Sequence, residues 1–222
     1  MSAVGRSPAS SRLVGTKRRL NDFCIGFWNE TENWNRVNEE CRVLLEEIVN
    51  ARAILNGAKH QAGDLATAKD EGEQMLCEPS KSSGSSGTSS LSELERYRLN
   101  EAIIRQSEHL VAEMETRYPK IVRRMNAAVE KIPAIRSYVV AEASPEDANR
   151  FAAVVETASD VYPKLSKMYE KELAAKRTAL CDLAAFDDHK VSMAVVASWL
   201  HEAFVDHSLK LQAYACASEF EE

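Results

Sequence analysis

Glycine and proline are scarce, eight and six in 222 residues, while Ala, Glu, Leu and Arg are plentiful. That balance favours helix over sheet. No segment alternates apolar and polar residues long enough to make a strand. The five cysteines (Cys24, Cys41, Cys77, Cys181, Cys216) are odd in number and never form a C-x-x-C pair. Their scatter argues against a disulfide framework and against a zinc site, and for free thiols in a reducing compartment. No apolar run approaches membrane-spanning length, and Met1 to Ser11 is too polar for a signal peptide, so no membrane is expected as partner. A net charge of −6 lacks the basic surplus of a general nucleic-acid binder, so no direct contact with nucleic acid is expected.

The pieces of catalytic machinery are missing as well. Gly84-Ser-Ser-Gly87 has neither a preceding strand nor a following Lys-Ser/Thr, so it is no phosphate loop. His201-Glu202 with Asp206 and His207 is the nearest approach to a metal motif. A zincin needs histidines four apart on one helical face, and these are six apart, about 240° around a helix. His201 is expected to pack beside Trp199 in a core or an interface, and His207 to sit near a helix start. Lys171, Lys176 and Arg177 read as a solvated face paired with Glu170 and Glu172. No catalytic residue, cofactor site or metal site is expected, and the chain reads as a non-enzyme.

What is present is rhythm. Residues 1–17 form a basic, Ser- and Gly-rich tail, expected to be disordered, with Ser7-Pro8 as a minimal phosphoacceptor and Thr16-Lys17-Arg18-Arg19 as a short import-like cluster. From 18 to 57, Leu20, Phe27, Trp34, Cys41, Ile48 and Leu55 recur every seven residues, with Phe23, Val37, Leu44 and Ala51 as a second seam and Glu30 as a polar intruder. Residues 58–90 are a polar segment and a flexible Ser/Gly tether. Over 91–132 the rhythm returns at Tyr97, Ile104, Val111, Tyr118, Met125 and Ile132, with Met114 and Ile121 in a weaker second seam beside polar Asn100 and Ser107. Ser90 or Ser92 is placed to cap this helix. Pro119 predicts a kink or restart near Tyr118, and Pro133 predicts its end. The two blocks are of equal length, which suits an antiparallel hairpin.

The C-terminal region, 144–222, predicts three to four shorter helices. Ser144-Pro145-Glu146 starts one through Phe151, Val154 and Val155, and Tyr162-Pro163 restarts a long helix bearing Leu165, Tyr169, Leu173 and Leu183. Asp187 or Asp188 caps a helix carrying Val195, Val196 and Trp199, and a last segment puts Leu209, Ala213, Cys216 and Phe220 on one face. The fold class is all-α: two long coiled-coil-like helices plus a C-terminal helical bundle. Large aromatics in one seam and polar positions in the other suggest a helical partner. The expected partner-binding residues are Phe27, Trp34, Val37, Leu44, Ile48 and Leu55 of the first block, with Ile104, Val111, Met114 and Ile121 of the second.

One stretch is more specific. Met168, Tyr169, Lys171, Glu172 and Leu173, then Lys176, Arg177 and Thr178, then Trp199, Leu200, His201, Phe204 and Val205 together resemble the C-terminal region of the cyclin-dependent kinase 2-interacting protein family. The segment Phe151-Ala-Ala-Val-Val-Glu-Thr157 departs from the Thr-Trp segment such proteins carry ahead of that helix. The resemblance implies a non-catalytic nuclear adaptor in DNA replication and checkpoint signalling. It implies as partners cyclin-dependent kinase 2, the origin-firing kinase, the ATR checkpoint complex and a AAA+ ATPase complex with a second small helical subunit, the last acting in replisome turnover and ribosome maturation. A nuclear hetero-oligomer is expected. A structural coiled-coil scaffold subunit that self-associates is the alternative.

Overall fold

A computed structural model describes residues 8–70, 91–143, 147–186 and 188–219. Ser7, Cys77, the whole Ser/Gly tether with Ser90, the Ser144-Pro145-Glu146 start, Asp187 and Phe220 lie outside them. Five helices account for these residues, with no strand among them: α1 (Pro8–Asp70), α2 (Glu93–Glu142), α3 (Ala148–Ala185), α4 (His189–His201) and α5 (His207–Ser218). The all-α expectation is what the chain does.

Contacts along the helices set the topology. Glu40 pairs with Arg117, Glu30 with Arg124, and Arg19 stacks over Tyr138, so α2 descends along a rising α1. Asn126 bonds Glu170 and Arg136 bonds Ser159, so α3 rises along α2. Trp34 bonds Glu202 and Trp28 rests on Tyr214, so α4 and then α5 descend between α3 and α1. The result is an up-down-up-down four-helix bundle whose fourth member is broken in two. The expected antiparallel hairpin is present, but the shorter helices complete one bundle with it.

Several local expectations are corrected. α1 takes in Pro8 to Lys17 of the basic tail and continues past Gly57 to Asp70. α2 runs through both Pro119 and Pro133, and α3 is a single helix through Pro163. An interior proline costs a helix about 3 kcal/mol. Here each helix is held from outside by a long neighbour. The Tyr118 side chain, just before Pro119, is wholly buried, and Ile132 and Val139 on either side of Pro133 are buried too. Burying side chains of this size yields about 1.5–3 kcal/mol each, enough to carry the helix across the defect. The start of α2 follows its sequence signal: the Ser92 hydroxyl accepts from Glu95 N–H, and Glu95 returns a carboxylate to Ser92 N–H at 2.8 Å.

The buried face is wider than a two-helix seam. Leu20, Phe27, Trp34, Cys41 and Ile48 are buried, as the seven-residue rhythm requires, but so are Cys24, Thr31 and Leu45 one turn aside. An a-plus-d stripe serves one neighbour, whereas α1 serves α2 on one flank and α4 and α5 on the other. Glu30, the polar intruder, meets Arg124 at 3.2 Å at the rim of this face.

Phe27 stacks on Tyr162 with ring centroids 3.9 Å apart, and the Cys24 thiol sits in the same apolar layer, where burial pushes it up to about 12 from its ordinary 9.0. Burial likewise raises Cys41 to about 11. A thiol held protonated by the fold contributes its stabilisation in full below pH 9 and loses it as pH rises towards the folded value. Burial shifts Lys176 the other way, but that is one group against Cys24, Cys41, Cys216 and three buried tyrosines. The melting temperature is therefore expected to hold between pH 6 and about 8.5 and to fall steeply above pH 9. Cys24→Ala should flatten the alkaline fall; an unchanged profile in that variant would remove the buried thiol as its cause.

Candidate functional site

The densest polar cluster lies in the core, at the joint between α4 and α5. Glu172 and Lys176, one turn apart on α3, are both about 2% exposed and bridge at 3.1 Å. Lys176 Nζ also donates to the Trp199 carbonyl at 2.9 Å and stands 4.6 Å from the centroid of the Trp199 ring. Glu172 uses its second oxygen to accept from Phe204 N–H at 3.1 Å. The pair thus ties α3 to the carbonyl that ends α4 and to the amide that leads into α5. The expectation of a solvated Lys171, Lys176, Arg177 face holds for Lys171 and Arg177, which are exposed, and fails for Lys176 and Glu172. Their spacing shows why: 169, 172, 173 and 176 follow the helical period of the buried Leu165 and Tyr169.

Glu202 does the same for α1. Its backbone ends α4 in the left-handed region at φ 42°, a place glycine usually takes. The side chain gives the reason: its carboxylate accepts from Trp34 Nε1 at 2.6 Å and lies 3.4 Å from Lys210 Nζ, which also donates to Asn35 at 3.0 Å. Around these ions stands an aromatic cage. Trp34 meets Tyr118 edge-on at 4.6 Å and Tyr169 at 4.8 Å, and Tyr118 meets Trp199 at 6.4 Å. Burial lowers the Lys176 ammonium from its ordinary value, and Glu172 opposes that shift.

The family-motif residues now divide into two groups. Tyr169, Glu172, Leu173, Lys176, Trp199 and Val205 are buried and build this joint. Leu200, His201 and Phe204 face outward at the α4 end, beside exposed Leu211 and Tyr214 of α5. His201 does not pack into a core beside Trp199; it is the exposed last residue of α4, and exposed His207 opens α5. Met168 is half-buried. Among the described residues, no cluster of His, Cys, Asp or Glu is arranged to hold a metal ion.

The ten positions assigned to a partner divide too. Phe27, Trp34, Val37, Ile48, Met114 and Ile121 are buried in the chain's own core, so the hairpin pairs within the chain. Leu44 and Leu55 are half-buried at its edge. Ile104 and Val111 are 59% and 46% exposed, in line with Tyr97 at 67%. A strict seven-residue repeat drifts about 20° per heptad on a straight helix. The column buried at Ile132, Met125 and Tyr118 has therefore turned out of the core by Val111. Burial passes to Leu110 and, partly, Ile103. The third helix also runs out here: the last residues of α3 lie against Asn100 and Ile103 of α2, and Arg52 of α1 holds the Leu183 carbonyl. Tyr97, Ile104 and Val111 form an apolar stripe at the open end of the bundle.

No family model matches the chain. Cyclin-dependent kinase 2-interacting protein of Homo sapiens is 22% identical to it over 208 residues, 92% of this chain and 89% of the relative. Its namesake in Xenopus laevis is 22% identical over 205 residues, again 92% of this chain and 89% of the relative. The similarity is distant but spans the hairpin and the C-terminal helices alike.

Three substitutions test the joint. Lys176→Met strands Glu172 as an uncompensated buried charge and should cost about 3–5 kcal/mol in urea unfolding. Pairing it with Glu172→Gln, which still accepts from Phe204 N–H, should recover part of that loss. Glu202→Gly relieves the left-handed backbone yet deprives Trp34 and Lys210 of a charged partner, so a net loss of about 2 kcal/mol is expected. A gain in stability would show that the backbone, and not the side chain, governs this position.

Proposed function

We propose that this chain is a non-catalytic helical subunit that binds partner proteins in the cell-cycle machinery, a cyclin-dependent kinase first among them. The distant similarity over nine-tenths of the chain to relatives named for interaction with cyclin-dependent kinase 2 supports the choice of kinase. The observation that carries a partner-binding role is the stripe of Tyr97, Ile104 and Val111, exposed apolar residues aligned at seven-residue spacing on α2. Isolated exposed apolar residues are ordinary, but an aligned row where a bundle opens marks an interface. The charged groups of the core joint are paired with one another and with the helix ends, which suits a brace more than a reaction centre.

The wider context belongs to the same proposal. A nuclear setting in DNA replication, checkpoint signalling and repair, with the origin-firing kinase, the ATR checkpoint complex or a AAA+ ATPase complex as further partners, extends it. Self-association as a scaffold subunit is the second reading, favoured by the fact that the stripe repeats every seven residues, as helix-to-helix contacts require.

Tyr97 and Ile104 are open to substitution without disturbing the core. Ile104→Glu and Tyr97→Glu should leave the melting temperature within a degree or so, as surface changes do. Each should weaken capture of purified cyclin-dependent kinase 2, with or without its cyclin, by about tenfold in biolayer interferometry. Wild-type chain that fails to bind the kinase at all would sink the kinase assignment. Sedimentation separates the second reading: a stable homo-oligomer dispersed by Ile104→Glu favours the scaffold, and a wild-type monomer removes it.

A further inference from the structure

The hairpin is electrically polarised, and its basic end carries a groove. Between Arg117 and Tyr138, α2 holds six cations against Glu130 alone; between Glu93 and Glu115 it holds six carboxylates against three arginines. α1 follows suit, with five glutamates and two arginines from Thr31 to Glu47, and Lys17, Arg18 and Arg19 near its start. Because the two helices are antiparallel, their basic halves lie side by side. A chain of net charge −6 thus carries a local excess of basic residues along one half of its hairpin.

A groove of about 470 Å³ opens there between α1 and α2. Phe23, Gly26, Ala127, Ala128 and Ile135 make an apolar floor. The floor is deep because its residues are small: a Cβ built on Gly26 would meet nothing within 4 Å. Arg19 and Lys131 stand on the rim, and among the described residues neither has an ion-pair partner. The two rim acids are engaged: Asp22 lies 3.8 Å from Arg18, and Glu30 3.2 Å from Arg124. Lys120 and Arg123 add positive charge one turn along α2.

We propose that this groove is a docking site for an acidic peptide segment of a partner protein. One or two apolar side chains would enter over Phe23 and Ala128, and carboxylates would meet Arg19 and Lys131. The charge selects an acidic ligand and steers its approach. The apolar floor favours a peptide, with side chains to fill it, over a nucleic acid, whose phosphates would meet the rim cations and leave the floor empty. The site lies on the opposite end of the hairpin from Tyr97 and Ile104, and it stands whether or not a kinase binds there.

Gly26 makes the test selective. A Cβ at this position meets open space, the groove has room for a larger side chain, and leucine is a better helix former than glycine, so Gly26→Leu should melt no lower than wild type. Random twelve-residue peptides displayed on phage are selected on the immobilised full-length chain, and the winners are synthesised with a fluorescent label. Winners should be rich in Asp and Glu with one or two Leu, Ile or Phe. Their affinity by anisotropy should fall about tenfold in Gly26→Leu and in Lys131→Glu, and should weaken with added salt. Winners without an acidic bias, no winners, or winners that bind both variants as they bind wild type would overturn the proposal. So would a labelled single-stranded oligonucleotide that binds as tightly as the peptides and ignores Gly26→Leu.

Discussion

Four helices meet at two buried carboxylates. Glu172 reaches from α3 to the amide that leads into α5, and Glu202 reaches from the α4 end to Trp34 on α1. Lys176 and Lys210 neutralise them, and Tyr118, Tyr169, Trp34 and Trp199 keep water away. Taking such ions out of water costs several kcal/mol each, so the network adds little net stability over an apolar packing of equal volume. Its effect is on geometry. Only one arrangement of the helices pairs every charge, and any slip of α4 or α5 along α1 and α3 leaves an ion unmatched. The break in the fourth helix is consequently a defined elbow, with a glutamate accepting a left-handed backbone where glycine would otherwise stand.

That elbow lets two short helices do the work of one long one. α4 covers the middle of α1 and α5 covers its start, while α3 packs along α2 and closes the bundle. The hairpin is longer than the bundle it anchors: at 1.5 Å per residue, α1 extends about 95 Å and α3 about 57 Å. Beyond the last turn of α3 the hairpin has no third helix, and the drift of the heptad repeat turns Val111, Ile104 and Tyr97 progressively outward on the approach to that end. The apolar stripe therefore lies at one end of the hairpin and its excess of basic residues at the other.

Much of this was legible in the residues themselves. The helical class follows from composition and period, the α2 start from Ser92 and Glu95, and the buried aromatics from their places in the repeat. The prolines misled because an intrinsic propensity of about 3 kcal/mol is overridden when neighbouring helices hold both sides of the defect. Lys176 and Glu172 misled because charge was weighed before helical phase. The partner assignment of Phe27 and Trp34 misled because an amphipathic seam has the same appearance whether its complement lies in another chain or further along its own.

The amino-acid order alone determined that the chain is helical, where its longest apolar faces run and which residues those faces carry, since these follow from local propensity and a period of seven. Tertiary structure alone decided which faces meet. It made α1 and α2 partners of each other, turned Ile104 and Val111 out of the core, drew Lys176 into it, and set two basic half-helices beside one groove. Those outcomes depend on relative rotation and register between helices. Both are settled by the packing of all four at once, and no window of sequence contains that information.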